Sequence, residues 1–434
     1  MARIPGILEC GSVDHLSVLQ DSPAAGSVAV VVALGDAMRN NRVLSFWKHE
    51  PVLLIALVLA VVSSFFVPFS MSALIHAVDW KVLGCLASLM LVVAGLRKQG
   101  VFARLADALL RKVHGVRGIG FSLVFLTFFL SMAITNDVAL ITFVPFTMAV
   151  YVSNGTPRAI LPVVVLQTVA ANVGSALTPV GNPQNLYIYS RYRFSAGTFF
   201  TTMLPFVLVG AVLLAICLWV MLHGRKNTIG ASSVNENPVP NGLNALNNVP
   251  TQSPEAFSVV AVVRYCVLFI VALCAVFPVV PWYVAVCVVA VAMLPDHELF
   301  AKIDWSLLLT FIGFFVFIGN LSSMEDLAAW FGRLLEGHVF ETSLLASQII
   351  SNVPATLLLS RFTEDGIQLL LGVNAGGCGT LIASLASVIS YKYYAGFHVG
   401  HADLVPGVGR YMVVFTVVNL LFIAVLWGCQ VVIW

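Results

Sequence analysis

The chain has 434 residues, 59% of them hydrophobic and 10% charged, with a mean hydropathy of +0.97. A soluble domain carries about 25% charged residues, so the composition excludes a water-solvated globule and indicates a bilayer as solvent. The net charge of +2 points to no partner chosen by bulk electrostatics, and no nucleic-acid partner is expected of a chain whose basic stretch lies beside membrane helices.

Residues 1–43 form an N-terminal tail of mixed composition. Its one apolar run, "VAVVVAL", is too short to span a membrane, and the layout of a cleavable signal is missing. The tail reads as disordered, or as a start placed upstream of a true one at Met38. The first clear span is Val52–Phe69, whose 18 residues carry no charge. At about 1.5 Å per residue it nearly crosses a hydrocarbon core of roughly 30 Å. A second run, Trp80–Leu96, follows Asp79, an N-cap at the membrane interface. Next comes a basic stretch of Arg97, Lys98, Arg104, Arg111, Lys112 and Arg117 against Asp107 alone, which the positive-inside rule places in the cytoplasm.

An apolar segment around 119–152 is broken by Thr135-Asn136-Asp137. The next, around 160–189, is broken by "TPVGNPQN" from Thr178 to Asn185. Thr198–Leu222 then completes a first membrane half, residues 44–226. Residues 227–256 are rich in Asn, Pro, Ser and Gly, the composition of a flexible linker. The second half, 257–434, holds runs at Ser258–Val279, Trp282–Leu294 and Trp305–Leu321. A segment around 344–360 is broken by Ser351-Asn352-Val353, and another around 366–391 by Gly, Thr and Ser. Tyr411–Trp434 closes the chain, for about eleven helical elements in all. Arg264 reads as a snorkelling residue near a helix end, and His398 and His401 as loop residues without a third metal ligand.

The halves repeat. "VDWKVLGCLASLML" matches "IDWSLLLTFIGFFV", and "MAITNDVALITFVPF" matches "QIISNVPATLLLSRF". "ANVGSALTPVGNPQNLYIYS" matches "VNAGGCGTLIASLASVISYK", with Asn172 and Asn374, Gly174 and Gly376, and Thr178 and Thr380 each 202 residues apart. If both hairpins re-enter the membrane, the basic loop orients the halves oppositely, as in many secondary transporters. The expected fold is therefore an all-α polytopic membrane protein of two inverted repeats, each with a re-entrant helical hairpin and a broken transmembrane helix.

Non-helical backbone at membrane depth survives only where protein or a watery cavity surrounds it. A broken helix offers N–H groups to anions and carbonyls to cations. The candidate substrate- and ion-binding residues are Thr135, Asn136, Asp137, Thr178, Gly181, Asn182, Asn185, Ser351, Asn352, Asn374, Thr380 and Ser384. Asp137 breaks the symmetry, since the second repeat has Val353 at its place. An ionisable group inside a membrane segment is functional by default. It reads as a proton carrier or as a Na⁺ ligand together with Asn136 and Asn182. Nothing in the sequence indicates a cofactor or catalytic set: HExxH, paired intramembrane aspartates and a GxS-type elbow are all missing.

"TNDVALITFVP", "GSALTPVGNPQNLYIY" and "SNVPATLLL…GVNAGGCGTLIASLAS" resemble the ion transporter superfamily, which includes divalent-anion/sodium symporters, arsenite permeases and a sodium/proton antiporter branch. The nearest likeness is to bacterial inner-membrane anion permeases with citrate-transporter-like domains, from about Leu44 onward. The resemblance implies a secondary transporter of a small anion or oxyanion coupled to Na⁺ or H⁺, an elevator mechanism and a homodimer. A cation/proton antiporter or a metalloid efflux permease on the same fold is the alternative. In the symporters each hairpin tip carries Ser-Asn-Thr. Here the asparagines Asn136 and Asn352 carry over, but the third-position threonines do not, and Asp137 would repel a polyanion unless a cation or proton neutralised it.

Overall fold

The computed structural model describes residues 50–67, 75–113, 115–224 and 257–433. The expected tail (1–43) and linker (227–256) lie outside the described residues. Every regular element among the described residues is helical, seventeen α-helices with two 3₁₀ turns. These exceed the eleven apolar elements read from sequence because the polar breaks split spans and two amphipathic helices are added.

The chain divides into two units. The first comprises residues up to Val78 together with Ser306–Glu325, and holds α1 (Pro51–Ser64) and nearly all of α11 (Trp305–Ser322). Gly313 lets these helices touch: a Cβ there would lie 3.1 Å from the Ala56 backbone. Buried polar groups close the pair, with Asn320 Nδ2 donating to Ser63 Oγ and Ser64 Oγ at 3.0 Å each.

The second unit holds all the remaining helices. In order these are α2 (Trp80–Lys98), α3 (Val101–Leu110), α4 (Gly115–Ile134), α5 (Asn136–Ser153), α6 (Ile160–Ser175), α7 (Pro183–Arg191), α8 (Ala196–Met221), α9 (Val259–Val276) and α10 (Trp282–Ala292). After α11 come α12 (Glu325–Leu335), α13 (Val339–Ile350), α14 (Asn352–Leu359), α15 (Gly366–Gly376), α16 (Leu385–Gly400) and α17 (Val408–Ile433). Asp79 caps α2 as its position suggests, its Oδ1 accepting from Val82 N at 3.0 Å. Arg264 has an acidic partner that its reading as a snorkelling residue did not include. It pairs with Asp296, which also accepts from the Tyr265 hydroxyl at 3.1 Å, so α9 is pinned to the turn after α10. His398 lies within α16 rather than in a loop.

Among the described residues, eight helices are long and apolar enough to cross a bilayer. Their exposure fits that solvent. On α9, Val260 is 80% exposed and Ile270 60% exposed, a face that water would penalise and lipid accepts. By contrast α6 is buried along all 16 of its residues, its polar Gln167, Thr168 and Asn172 included. Helices α4 and α5 pack on each other as a hairpin whose tip is Thr135 alone, and α13 and α14 do the same about Ser351. By length either arm of the first hairpin would cross a bilayer, whereas the second hairpin's arms, at 12 and 8 residues, would not.

Candidate functional site

Every candidate residue lies in the second unit, at or beside a hairpin tip or a helix break. The breaks follow from composition. Helix α6 ends at Ser175, and α7 restarts at Pro183, which carries no N–H and suits a first helical turn. Asn182 caps that restart, its Oδ1 accepting from Asn185 N at 2.9 Å. In the second half α15 ends at Gly376 and α16 restarts after Ser384.

Each tip is bonded to its own break, in the same way in both halves. Asn136 N donates to Gly181 O at 3.0 Å, and Asn352 N donates to Ala383 O at 2.9 Å. Gly181 and Ala383 are 202 residues apart, the offset of the sequence repeat. The threonines bind the other side of the tip: Thr178 Oγ1 donates to Met132 O, and Thr380 Oγ1 donates to Gln348 O at 3.0 Å. Tight packing also recurs. A Cβ on Gly174 would meet Phe128 O at 2.2 Å, and one on Gly376 would meet Ser347 Cβ at 2.7 Å.

The tips share one unusual conformation. Thr135 (φ 67°, ψ 148°) and Ser351 (φ 72°, ψ 155°) lie near a region reserved for glycine. Such a residue costs about 1–3 kcal/mol and persists where its surroundings hold it. The Ser351 hydroxyl reaches Ala383 O only at 3.3 Å, so little is lost on its removal. Ser351→Gly should therefore raise stability by about 1 kcal/mol, read as a higher thermal midpoint in detergent. A lower midpoint would show that the tip is unstrained.

Between the tips the two halves exchange hydrogen bonds reciprocally. Asn182 Nδ2 donates to Asn374 Oδ1 at 3.3 Å, and Ser384 Oγ donates to Asn172 Oδ1 at 3.1 Å. In both bonds a group at a helix restart reaches the asparagine at the end of the other half's first helix piece. That pattern is the signature of a twofold relation. Asn172 also accepts from Asn136 Nδ2 at 3.1 Å and donates to Gly377 O at 2.9 Å. Asn374 Nδ2 donates to Asn185 Oδ1 at 2.7 Å. The result is a neutral cluster, with Asn136, Asn172, Asn182, Asn185, Asn352, Asn374 and Ser384 each at most 4% exposed. Asn172 and Gln348, central to the bonding, were not among the candidates. The repeat itself signals Asn172, as the partner of Asn374. Gln348 has no such signal, since its counterpart is Met132.

Thr178 and Thr380 bond to hairpin arms rather than to the asparagine cluster, and Thr380 is exposed. Asn182 forms no hydrogen bond with Asp137: its oxygen serves Asn185 N and its nitrogen serves Ser175 Oγ and Asn374. Asp137 stands in the first turn of α5, with its backbone N donating to Asn136 Oδ1 at 3.0 Å. Its Oδ1 is buried and has no hydrogen-bond partner.

Paired helical hairpins and paired broken helices, joined at a buried polar centre in a bundle of membrane-crossing length, define a polytopic membrane transporter. The chain belongs to the citrate transporter family, whose model matches residues 43–365. It is similar to an uncharacterized transporter of Methanocaldococcus jannaschii, with 31% identity over 77% of this chain and 86% of that one. It is also similar to the inner membrane protein YbiR of Escherichia coli, with 31% identity over 76% of this chain and 84% of that one. A silicon efflux transporter of Oryza sativa subsp. japonica is 30% identical over 34% of this chain and 31% of its own length. The family is one of transporters, the Methanocaldococcus jannaschii and rice relatives are named as transporters, and the chain is a multi-pass membrane transporter rather than an enzyme.

Proposed function

We propose that the chain is a secondary active transporter of a small anion or oxyanion, coupled to Na⁺ or H⁺. Substrate binds between the two hairpin tips, and an elevator-type movement of inverted halves carries it, with the protein working as a homodimer. The observation behind this reading is the reciprocal cluster at the tips and breaks. Four helices, α5, α7, α14 and α16, begin there. Their N-terminal N–H groups carry partial positive charge and favour an anion without any fixed cation. The asparagine and serine side chains supply donors that exchange partners at low cost.

Asp137 is the coupling group in this reading. Its buried Oδ1 lacks a hydrogen-bond partner. A buried carboxylate oxygen without a hydrogen bond is kept at a cost unless a cation or proton visits it. The family's description supports a carboxylate substrate, and the rice relative's name supports a metalloid oxyanion. The same site on the same fold would serve a cation/proton antiporter or a metalloid efflux permease. Purified protein in vesicles separates these. A symporter gives a substrate-dependent response to a sodium or proton gradient. An antiporter moves protons in answer to cations with no anion present, and that result would replace the proposal.

A further inference from the structure

At each break a side-chain amide covers backbone carbonyls at or just after the end of the first helix piece, three in the first half and one, Gly376 O, in the second. In the first half Asn185 Nδ2 approaches Ser175 O at 3.3 Å, Ala176 O at 3.2 Å and Thr178 O at 3.1 Å. Three acceptors thus share the two hydrogens of one amide. In the second half Gln348 Nε2 donates to Gly376 O at 2.9 Å and Leu344 O at 3.0 Å, while its Oε1 accepts from Thr380 N at 2.7 Å. The acceptors fix which end of each amide is nitrogen. Gly379 makes room for this: a Cβ there would lie 1.7 Å from Gln348 Oε1. Carbonyls converging at a helix C-terminus make a negative pocket that ordinarily attracts a cation.

We infer that Asn185 and Gln348 act as built-in neutral stand-ins for cations, so that the breaks themselves bind no ion and Asp137 alone sets the number of coupling charges at one. This rests on the proposed role of Asp137 and adds a stoichiometry to it. The two amides are not related by the repeat. The counterpart of Asn185 is Ser387 and that of Gln348 is Met132. Each half therefore fills its negative pocket by a different route, and of the two tip triplets only Thr135-Asn136-Asp137 carries a charged residue.

The test uses the full chain purified in detergent, with NaCl replaced by choline chloride at constant ionic strength. Equilibrium binding of radioactive sodium to the wild type should give at most a single ion per chain, lost in Asp137→Asn. Asn185→Asp and Gln348→Glu each replace the donating NH₂ with an oxygen that faces carbonyl oxygens. Each should show a thermal midpoint that falls in choline and recovers in sodium, and this recovery should persist when Asp137→Asn is added. Two sodium ions on the wild type, or sodium binding that survives Asp137→Asn, would overturn the inference. So would folded Asn185→Asp and Gln348→Glu proteins with no sodium dependence. If neither variant folds, the wild-type stoichiometry decides alone. A wild type that binds no sodium supports the inference, while it removes the sodium branch of the proposed function.

Discussion

Asp137→Asn should abolish the dependence of transport on the coupling-ion gradient while leaving the protein folded. The substitution keeps the shape and removes the charge. Its effect on the fold is small because the carboxylate Oδ1 has no hydrogen-bond partner to lose. The effect on the ion is large. A close contact with a buried charge contributes about 2–5 kcal/mol to affinity, between one and four orders of magnitude at about 1.4 kcal/mol per decade. If Asp137 holds Na⁺, the sodium concentration for half-maximal transport rises beyond reach. If it carries a proton, uptake stops responding to a pH gradient, and exchange of substrate for substrate continues. Uptake assays in vesicles with imposed gradients measure both. Wild-type ion dependence in Asp137→Asn would leave the residue as no more than part of the hairpin's first turn.

Much of this geometry was legible in the sequence. The offset of 202 residues paired Asn172 with Asn374 and Thr178 with Thr380, and the structure places each pair in matching positions at the breaks. The tips were readable because consecutive polar residues, Thr135-Asn136-Asp137 and Ser351-Asn352, interrupt an apolar run in both halves. The partners of each polar group were not. Asn185 has the composition of a ligand, yet its nitrogen is consumed by the carbonyls of its own break. Composition cannot distinguish an amide that waits for an ion from one that replaces it. Gln348 was invisible for a related reason. Its importance comes from a residue that approaches through space, Gly379, and not from any repeat with Met132. The partner of Arg264 was not legible either, because Asp296 sits 32 residues away on a turn that hydrophobic periodicity does not resolve.

Gly181→Ala should be the most damaging single-methyl change in the chain. An added Cβ would lie 2.1 Å from Ser175 O and 2.7 Å from Ser175 Cα. Those are backbone atoms at the end of the fully buried helix α6, so no side chain can swing aside. The carbonyl of the same residue holds Asn136 N, and any shift pulls the first tip off its break. Overpacking of a core costs about 1–3 kcal/mol, occasionally more, and the contact with the Ser175 backbone places this case at the upper end. Transport should fall below detection, with a thermal midpoint well below that of the wild type. The matching position in the second half is already Ala383, which shows that the repeat itself accepts a methyl group where the opposing backbone leaves space. Ala383→Gly should accordingly cost about 1 kcal/mol or less and leave transport measurable. Equal damage from both substitutions would mean that the close approach at Gly181 is not the cause.

The account turns on one claim, that an anion moves through the asparagine-lined centre together with a charge taken up by Asp137. Current recorded from proteoliposomes on a solid support tests it most directly, with carboxylates, arsenate, arsenite and silicate offered in turn under a sodium or proton gradient. The account predicts a current that requires at least one of these substrates, follows the sodium or proton gradient in the wild type, and loses that dependence in Asp137→Asn. Charge movement that needs no substrate anion, or a substrate current whose ion dependence is unchanged in Asp137→Asn, would contradict it.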